Sequence, residues 1–408
     1  MAIDVSPEVN SLYGGPVRPS QKTLALGAEG EPFILLDDAR SGGPWPVRLY
    51  RQPLATVTAE RVEDVEPALD QLRRASRDGL YLAGFLTYEA GLAFEPRLGC
   101  CPAEAVRPLL WFGLFETCQS LDGAEVDILL DGAGPCRPGP LRPAIDMATY
   151  ARRFARVRDY IEAGDIYQAN LTFQSSLPFE GDPVALYRAR RAKAGAGHGA
   201  LVATGDQWLL SFSPELFFSL DNGRLLARPM KGTAARGATE DEDAELAAML
   251  AADPKQRAEN LMIVDLLRND LSRVAIPGSV EVARLFAVER YPTIYQLVSD
   301  IGADLKPGLD AFDVLRATFP CGSITGAPKL RAMEVLATVE GTPRGIYTGS
   351  IGRIDPGGDA CFNVAIRTLS IAVGSGEATL GLGSGVVADS TVGSEWRECL
   401  DKARFLDP

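Results

Sequence analysis

Lys231, in Arg228-Pro229-Met230-Lys231-Gly232-Thr233, sits between a proline and a Gly-Thr turn, a setting in which a lysine can act as an amine nucleophile. An unperturbed lysine, with a pKa of about 10.4, is neutral in only about one molecule in a thousand near pH 7. Burial or a nearby cation must lower that pKa before the amine attacks anything. The plainer alternative is a solvated or ion-paired lysine.

Two acidic helices offer a second kind of chemistry. Residues 257–271 read as a helix on which Glu259 shares a stripe with Met262, Ile263 and Leu266, placing a carboxylate on an otherwise apolar face. A last helix, from about residue 393 to 405, carries Glu395, Glu398 and Lys402 at spacings of three and four, so they face the same way. Alone, that group is a surface Glu–Lys pair. If Glu259 and Glu398 converge, they form a hard-oxygen site suited to Mg²⁺, which keeps several waters and binds the substrate's own oxygens.

Glycine-rich turns at Gly322-Ser323-Ile324-Thr325-Gly326 and Gly381-Leu382-Gly383-Ser384-Gly385 let backbone N–H groups approach an anion. Neither fits a P-loop or a dinucleotide fingerprint, so nucleotide binding is rejected. Arg367, after Val364-Ala365-Ile366, is a candidate buried guanidinium able to fork a carboxylate.

Composition narrows the field. With 41 basic against 54 acidic residues the net charge is −13, which argues against nucleic acid or an anionic membrane as the main partner. No apolar stretch reaches membrane-spanning length and Met1–Ser6 opens no leader-like segment, so a cytoplasmic protein is expected. The seven cysteines, Cys100 and Cys101 among them, form no C-x-x-C pair and read as reduced, structural thiols. The single histidine, His198, lies in Gly195-Ala196-Gly197-His198-Gly199 and reads as part of a mobile loop, leaving acid–base work to carboxylates, lysine or tyrosine.

The elements that must position these residues are mixed. Phe33–Leu36 and Leu80–Tyr88 read as buried strands, Val62–Arg74 as a helix, and Gly132–Pro143 as a connector. We place a boundary near residue 143, dividing 1–143 from 144–408, with the first part interwoven with the rest. Tyr150, Phe154, Val157 and Ile161 mark a helix that Gly164-Asp165 stops. A strand follows, with Tyr167, Ala169, Leu171 and Phe173 on one face and Gln168, Asn170 and Thr172 on the other, the polar face either solvated or functional. Residues 345–353, 360–371 and 378–387 read as further strands. Long strand runs without strict β-α alternation predict an α+β sandwich.

In this order the segments Gly164–Leu171, Ser213-Pro214-Glu215, Arg228–Thr233, Glu259–Leu266, Gly322–Lys329 and Glu395–Lys402 resemble the chorismate-utilising enzymes. The likeness runs from about residue 145 to the end, and is nearest to those members that aminate chorismate at C4. It implies a four-layer α/β/β/α fold, Mg²⁺ as cofactor and chorismate as substrate. By the same resemblance Glu259, Glu395 and Glu398 are the metal site, and Gln168, Gly232, Thr233, Tyr347, Arg367, Gly383, Gly385 and Lys402 line the substrate pocket. Glu215 is the acid that protonates the departing 4-hydroxyl, and Lys231 the nucleophile that attacks C2 before ammonia adds at C4, giving 4-amino-4-deoxychorismate for p-aminobenzoate and folate. Relatives that add water carry lysine where this chain has Gln168, and anthranilate-forming relatives typically carry alanine in place of Lys231. Many relatives have a histidine before Leu297-Val298-Ser299, where this chain has Tyr295-Gln296. The Leu35-Leu36-Asp37-Asp38 stretch differs from the Leu-Leu-Glu-Ser element associated with tryptophan feedback. No glutaminase triad is found in the sequence, so ammonia is expected from a separate glutamine amidotransferase subunit, and the end at Pro408 is read as leaving no room for a fused lyase domain. The competing readings are an anthranilate synthase component I and a non-catalytic, ligand-binding regulatory subunit.

Overall fold

The computed structural model describes Leu26 and residues 30–40, 43–98, 108–291 and 294–407. Met1–Ser6, Cys100 and Cys101 lie outside the described residues. Strand periodicity builds the architecture. In Phe33–Asp37, Phe33 and Leu35 pack toward helices while Ile34 between them faces a second sheet. Tyr81–Leu86 repeats the pattern from the other side, with Leu82 and Leu86 under helices and Ala83 and Phe85 facing inward. Strands buried on both faces in this way require four layers.

Among the described residues one sheet runs in the order Gly326–Ala327, Gln168–Gly181, Glu377–Val386, Thr368–Ala372, Gln207–Ser211, Gly199–Ala203, Phe33–Asp37, Val47–Arg51, Gln119–Leu121. The other runs Met230–Ala235, Ile294–Asp304, Arg224–Arg228, Leu216–Asp221, Ala360–Asn363, Ser350–Ile354, Tyr81–Leu86, Leu110–Phe115, Ala55–Ala59. The inner layer joining them is Ile34, Tyr50, Phe85, Trp111, Phe115, Val202, Leu209 and Ile351. Helices Met147–Glu162, Pro183–Ala194, Lys329–Glu340 and Val392–Asp401 cover the first sheet, and Val62–Arg77, Pro254–Ser272 and Ala311–Thr318 cover the second. This is the expected α/β/β/α sandwich. Strands from the first third of the chain enter both sheets: Phe33–Asp37 pairs with Gly199–Ala203, and Tyr81–Leu86 with Ser350–Ile354.

Several elements differ from the sequence reading. Residues 360–371 are two strands in different sheets, because the chain crosses between layers at Val364–Arg367, where Arg367 takes a left-handed φ of 51°. Of the 345–353 stretch only 350–353 is strand, as part of Ser350–Ile354. The Gly132–Pro143 connector holds two short strands, Cys136–Pro138 and Arg142–Pro143, that extend the pairing of Gln168–Gly181. Tyr167 precedes that strand and is 67% exposed instead of joining its apolar face. The polar face of Gln168, Asn170 and Thr172 is buried, so the solvated reading does not hold.

Candidate active site

The two sheets are joined by adjoining crossovers. Phe212–Glu215 leads from Gln207–Ser211 to Leu216–Asp221, and Val364–Arg367 leads from Ala360–Asn363 to Thr368–Ala372. They are tied by Phe212 N–H to Arg367 O and by Val364 N–H to Glu215 O, both at 3.0 Å, and Ser213 Oγ donates to Val364 O at 2.6 Å. Glu215 and Arg367 are thus placed by the same pair of turns.

Glu215 is buried, and its Oε1 accepts from Ser323 Oγ at 2.6 Å. Burial raises its pKa, while Ser323, Lys231 and Lys402 pull the other way without prevailing. Lys231, on the edge strand Met230–Ala235, has its pKa lowered by burial; Glu215, Glu259 and Glu398 oppose that shift and Lys402 reinforces it. Both shifts run toward the uncharged forms, although the Lys231 residue is only half-buried at its edge strand.

The carboxylates approach from two helices. Burial raises the pKa of Glu259, and Glu398 raises it further by like-charge repulsion. Glu395 is buried and likewise shifted upward by burial, with Glu398 again adding to it. Burial opposes ionisation of Glu398 too, but Lys402, at 2.8 Å, together with Lys231 and Lys255 holds its pKa below the usual range. The Glu398 side chain keeps 51% of its surface open. The core face of Pro254–Ser272 is Asn260, Ile263, Val264, Leu267 and Leu271, so Glu259 stands with Met262 and Leu266 on the half-buried flank instead of on the buried stripe.

Among the described residues no group of three or more His, Cys, Asp or Glu side chains is assembled to hold a metal. The donor chemistry nonetheless fits a hard divalent cation. Two mutually repelling carboxylates from separate helices, one of them open to solvent, suit an ion that keeps water and takes substrate oxygens.

Of the residues expected to line a substrate pocket, Gly383 and Gly385 lie on Glu377–Val386 with Lys402, Tyr347 and Gln168 against them, whereas Gly232 and Thr233 are on Met230–Ala235 and Arg367 is in the crossover before Thr368–Ala372. Lys402 Nζ donates to Gly383 O at 2.7 Å, linking Glu398 to Glu377–Val386. Tyr347 is buried with its ring over the glycines: a Cβ on Gly381 would lie 2.0 Å from the ring and one on Gly383 3.1 Å from its hydroxyl. A Cβ on Gly385 would meet Gln168 Nε2 at 2.7 Å, and Gln168 Oε1 is buried without a protein partner among the described residues. Gly232 takes a φ of 83°, which only glycine adopts easily, and Thr233 is exposed, its hydroxyl 3.4 Å from Gln296 Oε1. Arg367 has no carboxylate partner among the described residues. Burial lowers its pKa, and Tyr291 is its charged-state neighbour.

Sequence reasoning missed Ser323 as the partner of Glu215. It also missed Lys255, whose ion pair with Asp389 at 2.9 Å stands beside Glu259 and Glu395. Ser323 lay within a turn read only for its backbone, and nothing in its spacing marks its hydroxyl. His198 is not in a mobile loop: it is buried against Trp45, its backbone N–H donates to Ser213 O, and burial depresses its pKa to about 3, so it stays neutral. The described cysteines, Cys118, Cys136, Cys321, Cys361 and Cys399, are free. No helix among the described residues is long and apolar enough to cross a membrane.

A four-layer antiparallel sandwich with an amine on an edge strand, a carboxylate at an inter-sheet crossover and further carboxylates on two covering helices defines the class. Residues 31–408 match the pattern of the chorismate binding enzymes, and the chain belongs to that family. It is 44% identical over 261 residues to aminodeoxychorismate synthase component 1 of Salmonella typhimurium, covering 64% of this chain and 57% of that one. It is 40% identical over 251 residues to anthranilate synthase component 1 of Aquifex aeolicus, covering 62% and 50%. These matches span about half the length of the relatives. Among solved structures, anthranilate synthase component I from Streptococcus pneumoniae superposes with a TM-score of 0.77 at 26% identity, over 95% of each chain.

Proposed function

We propose that this chain converts chorismate and ammonia to 4-amino-4-deoxychorismate, the precursor of p-aminobenzoate for folate, with a separate glutamine amidotransferase delivering the ammonia. The observation that carries this reading is the pairing of Lys231, its pKa lowered by burial, with Glu215, its pKa raised by burial. Each shift runs toward the protonation state that an amine nucleophile or an acid for the leaving group needs. The Salmonella relative bears the name of this activity, and "component 1" in that name speaks for a second component.

In this scheme Lys231 Nζ bonds to C2 as both ring double bonds shift along the ring and the C4–O bond breaks, the departing hydroxyl leaving as water with the Glu215 proton. Ammonia then bonds at C4, both double bonds return, the C2–N bond to Lys231 breaks to release the neutral amine, and the new ammonium at C4 returns one proton to the Glu215 carboxylate. Arg367, unpaired within the described chain, and Lys402 supply positive charge for the substrate carboxylates beside Tyr347, Gly383 and Gly385. Glu259 and Glu398, with Glu395 alongside, would hold Mg²⁺, which when bound would screen the substrate's anionic charge. Gln168, neutral where water-adding relatives have a base, leaves water unactivated.

The deciding experiment is mass-spectrometric identification of the product from chorismate, Mg²⁺ and an ammonium salt. We expect 4-amino-4-deoxychorismate. Fluorescent anthranilate would establish the rival synthase reaction instead, and an absence of chorismate consumption would favour a ligand-binding regulatory subunit.

A further inference from the structure

We infer that Arg344 is a positioning residue for Glu215, a buried guanidinium that fixes the turn carrying Ser323 and so the hydroxyl that holds this carboxyl. The inference rests on the functional reading above.

Arg344 is 3% exposed. All five of its side-chain N–H donors are engaged: Nε to Glu340 Oε2 at 3.0 Å, Nη2 to Glu340 Oε1 at 2.9 Å and to Asn170 O at 2.8 Å, Nη1 to Ile324 O at 3.1 Å and to Thr348 Oγ1 at 3.4 Å. Apart from Glu340, every acceptor lies on a segment that shapes the site. Asn170 shares the buried polar face with Gln168. Ile324 adjoins Ser323, which donates to Glu215. Thr348 adjoins Tyr347, whose ring covers Gly381 and Gly383. Glu340 Oε1 also accepts from Thr172 N–H at 2.8 Å, fixing the strand beside Gly383. From the opposite side Glu89 accepts from the backbone N–H groups of Arg344 at 2.6 Å and Gly345 at 3.0 Å, and the Tyr88 ring lies 4.5 Å below the guanidinium.

Stability alone does not call for this device, since buried ion pairs are often replaceable by apolar packing. What apolar side chains cannot do is hold two backbone carbonyls and a hydroxyl from three segments in a fixed fork. Misplacement of reacting groups by about 1 Å can cost about 100-fold in rate. The path from Arg344 to chemistry runs through Ile324 to Ser323 and Glu215.

The test compares kcat for ammonia-dependent chorismate consumption in two backgrounds, with thermal melting to confirm folding. Arg344→Lys keeps the charge but offers three donors in place of five. We expect it to lower kcat about 100-fold in the otherwise native enzyme. In a Ser323→Ala background, where the route to Glu215 is already cut, it should cost less than about threefold. A merely structural role would give the same loss in both, and that outcome, or native kcat in folded Arg344→Lys, overturns the inference. If Arg344→Lys does not fold, Glu340→Gln, which is isosteric and weakens the same fork, carries the identical comparison. If the native enzyme does not consume chorismate, the functional reading fails and takes this inference with it. An active native enzyme with equal losses sinks the inference alone.

Discussion

Ser323 donates its hydroxyl hydrogen to Glu215 Oε1 at 2.6 Å across 108 residues of sequence, from a helical turn to an inter-sheet crossover. That bond favours the ionised carboxyl, whereas burial favours the protonated one and prevails. A general acid works only while protonated, so kcat should fall as pH rises through the raised pKa of Glu215. Ser323→Ala removes both the anchor of this carboxyl and a stabiliser of its anion, so kcat should fall about 100-fold and the alkaline limb of the pH–rate profile should move to higher pH. Glu215→Gln should lose about 10²- to 10⁴-fold in kcat at all pH values. A Glu215→Gln enzyme with native turnover would remove this acid from the scheme.

Lys231 has its pKa lowered by burial, so between that value and the usual lysine value the folded protein binds fewer protons here than the unfolded chain. Stability contributed by this residue therefore rises as pH rises through that window. Lys231→Met should flatten the stability–pH curve on its alkaline side, read by melting temperature between neutral pH and pH 10. Lys231→Ala should cut kcat by at least about 100-fold, leaving direct ammonia attack as a residual route. Unchanged turnover would end the covalent proposal, and a curve of unchanged shape in Lys231→Met would mean the amine is solvated.

Glu259 and Glu398 raise the cost of each other's charge, a cost that a bound divalent cation would relieve. Mg²⁺ binding followed by calorimetry should weaken about 10- to 100-fold in Glu259→Gln and in Glu398→Gln. Equal Mg²⁺ affinity in all three proteins would place the ion elsewhere.

Gly381→Ala should be destabilising, because the new Cβ would fall 2.0–2.4 Å from three Tyr347 atoms and the ring is buried. Overpacking of this kind costs about 1–3 kcal/mol. Gly385→Ala meets only the flexible end of Gln168, so it should leave the melting temperature near native while raising KM for chorismate. Equal melting temperatures for the two variants would contradict this distinction.

The sequence made the layers legible where strand periodicity was clean, as in Phe33–Asp37, and where an amphipathic stripe was complete, as in Met147–Glu162. It misread residues 360–371 because both halves are apolar and nothing in their period marks a change of sheet; the left-handed Arg367 is the break. Lys231 stood out from its local context and Glu259 and Glu398 from helix period, whereas Glu215 entered only through the order of motifs. Ser323 and the Arg344 fork were invisible because each acts through contacts between segments far apart in the chain. Periodicity reports which face a residue occupies, not which distant carbonyl it meets.

Glu89 provides the last prediction. Its carboxyl is buried and burial pushes its pKa up to about 7, although the backbone N–H groups of Arg344 and Gly345 favour the anion. The unfolded chain releases this proton near the usual carboxylate pKa, whereas the folded protein keeps it until about pH 7. Between those values the folded state binds more protons, so stability should fall as pH rises from about 4.5 to about 7 and level off above, by about 3 kcal/mol in all. Glu89→Gln cannot ionise, and its amide offers one acceptor to two backbone donors, which costs about 1–3 kcal/mol. It should therefore melt below the native protein at pH 5 but show a flatter profile from pH 5 to 8, the two curves converging toward neutrality. Parallel curves across that range would show that Glu89 is already ionised at pH 5, its two backbone donors outweighing burial.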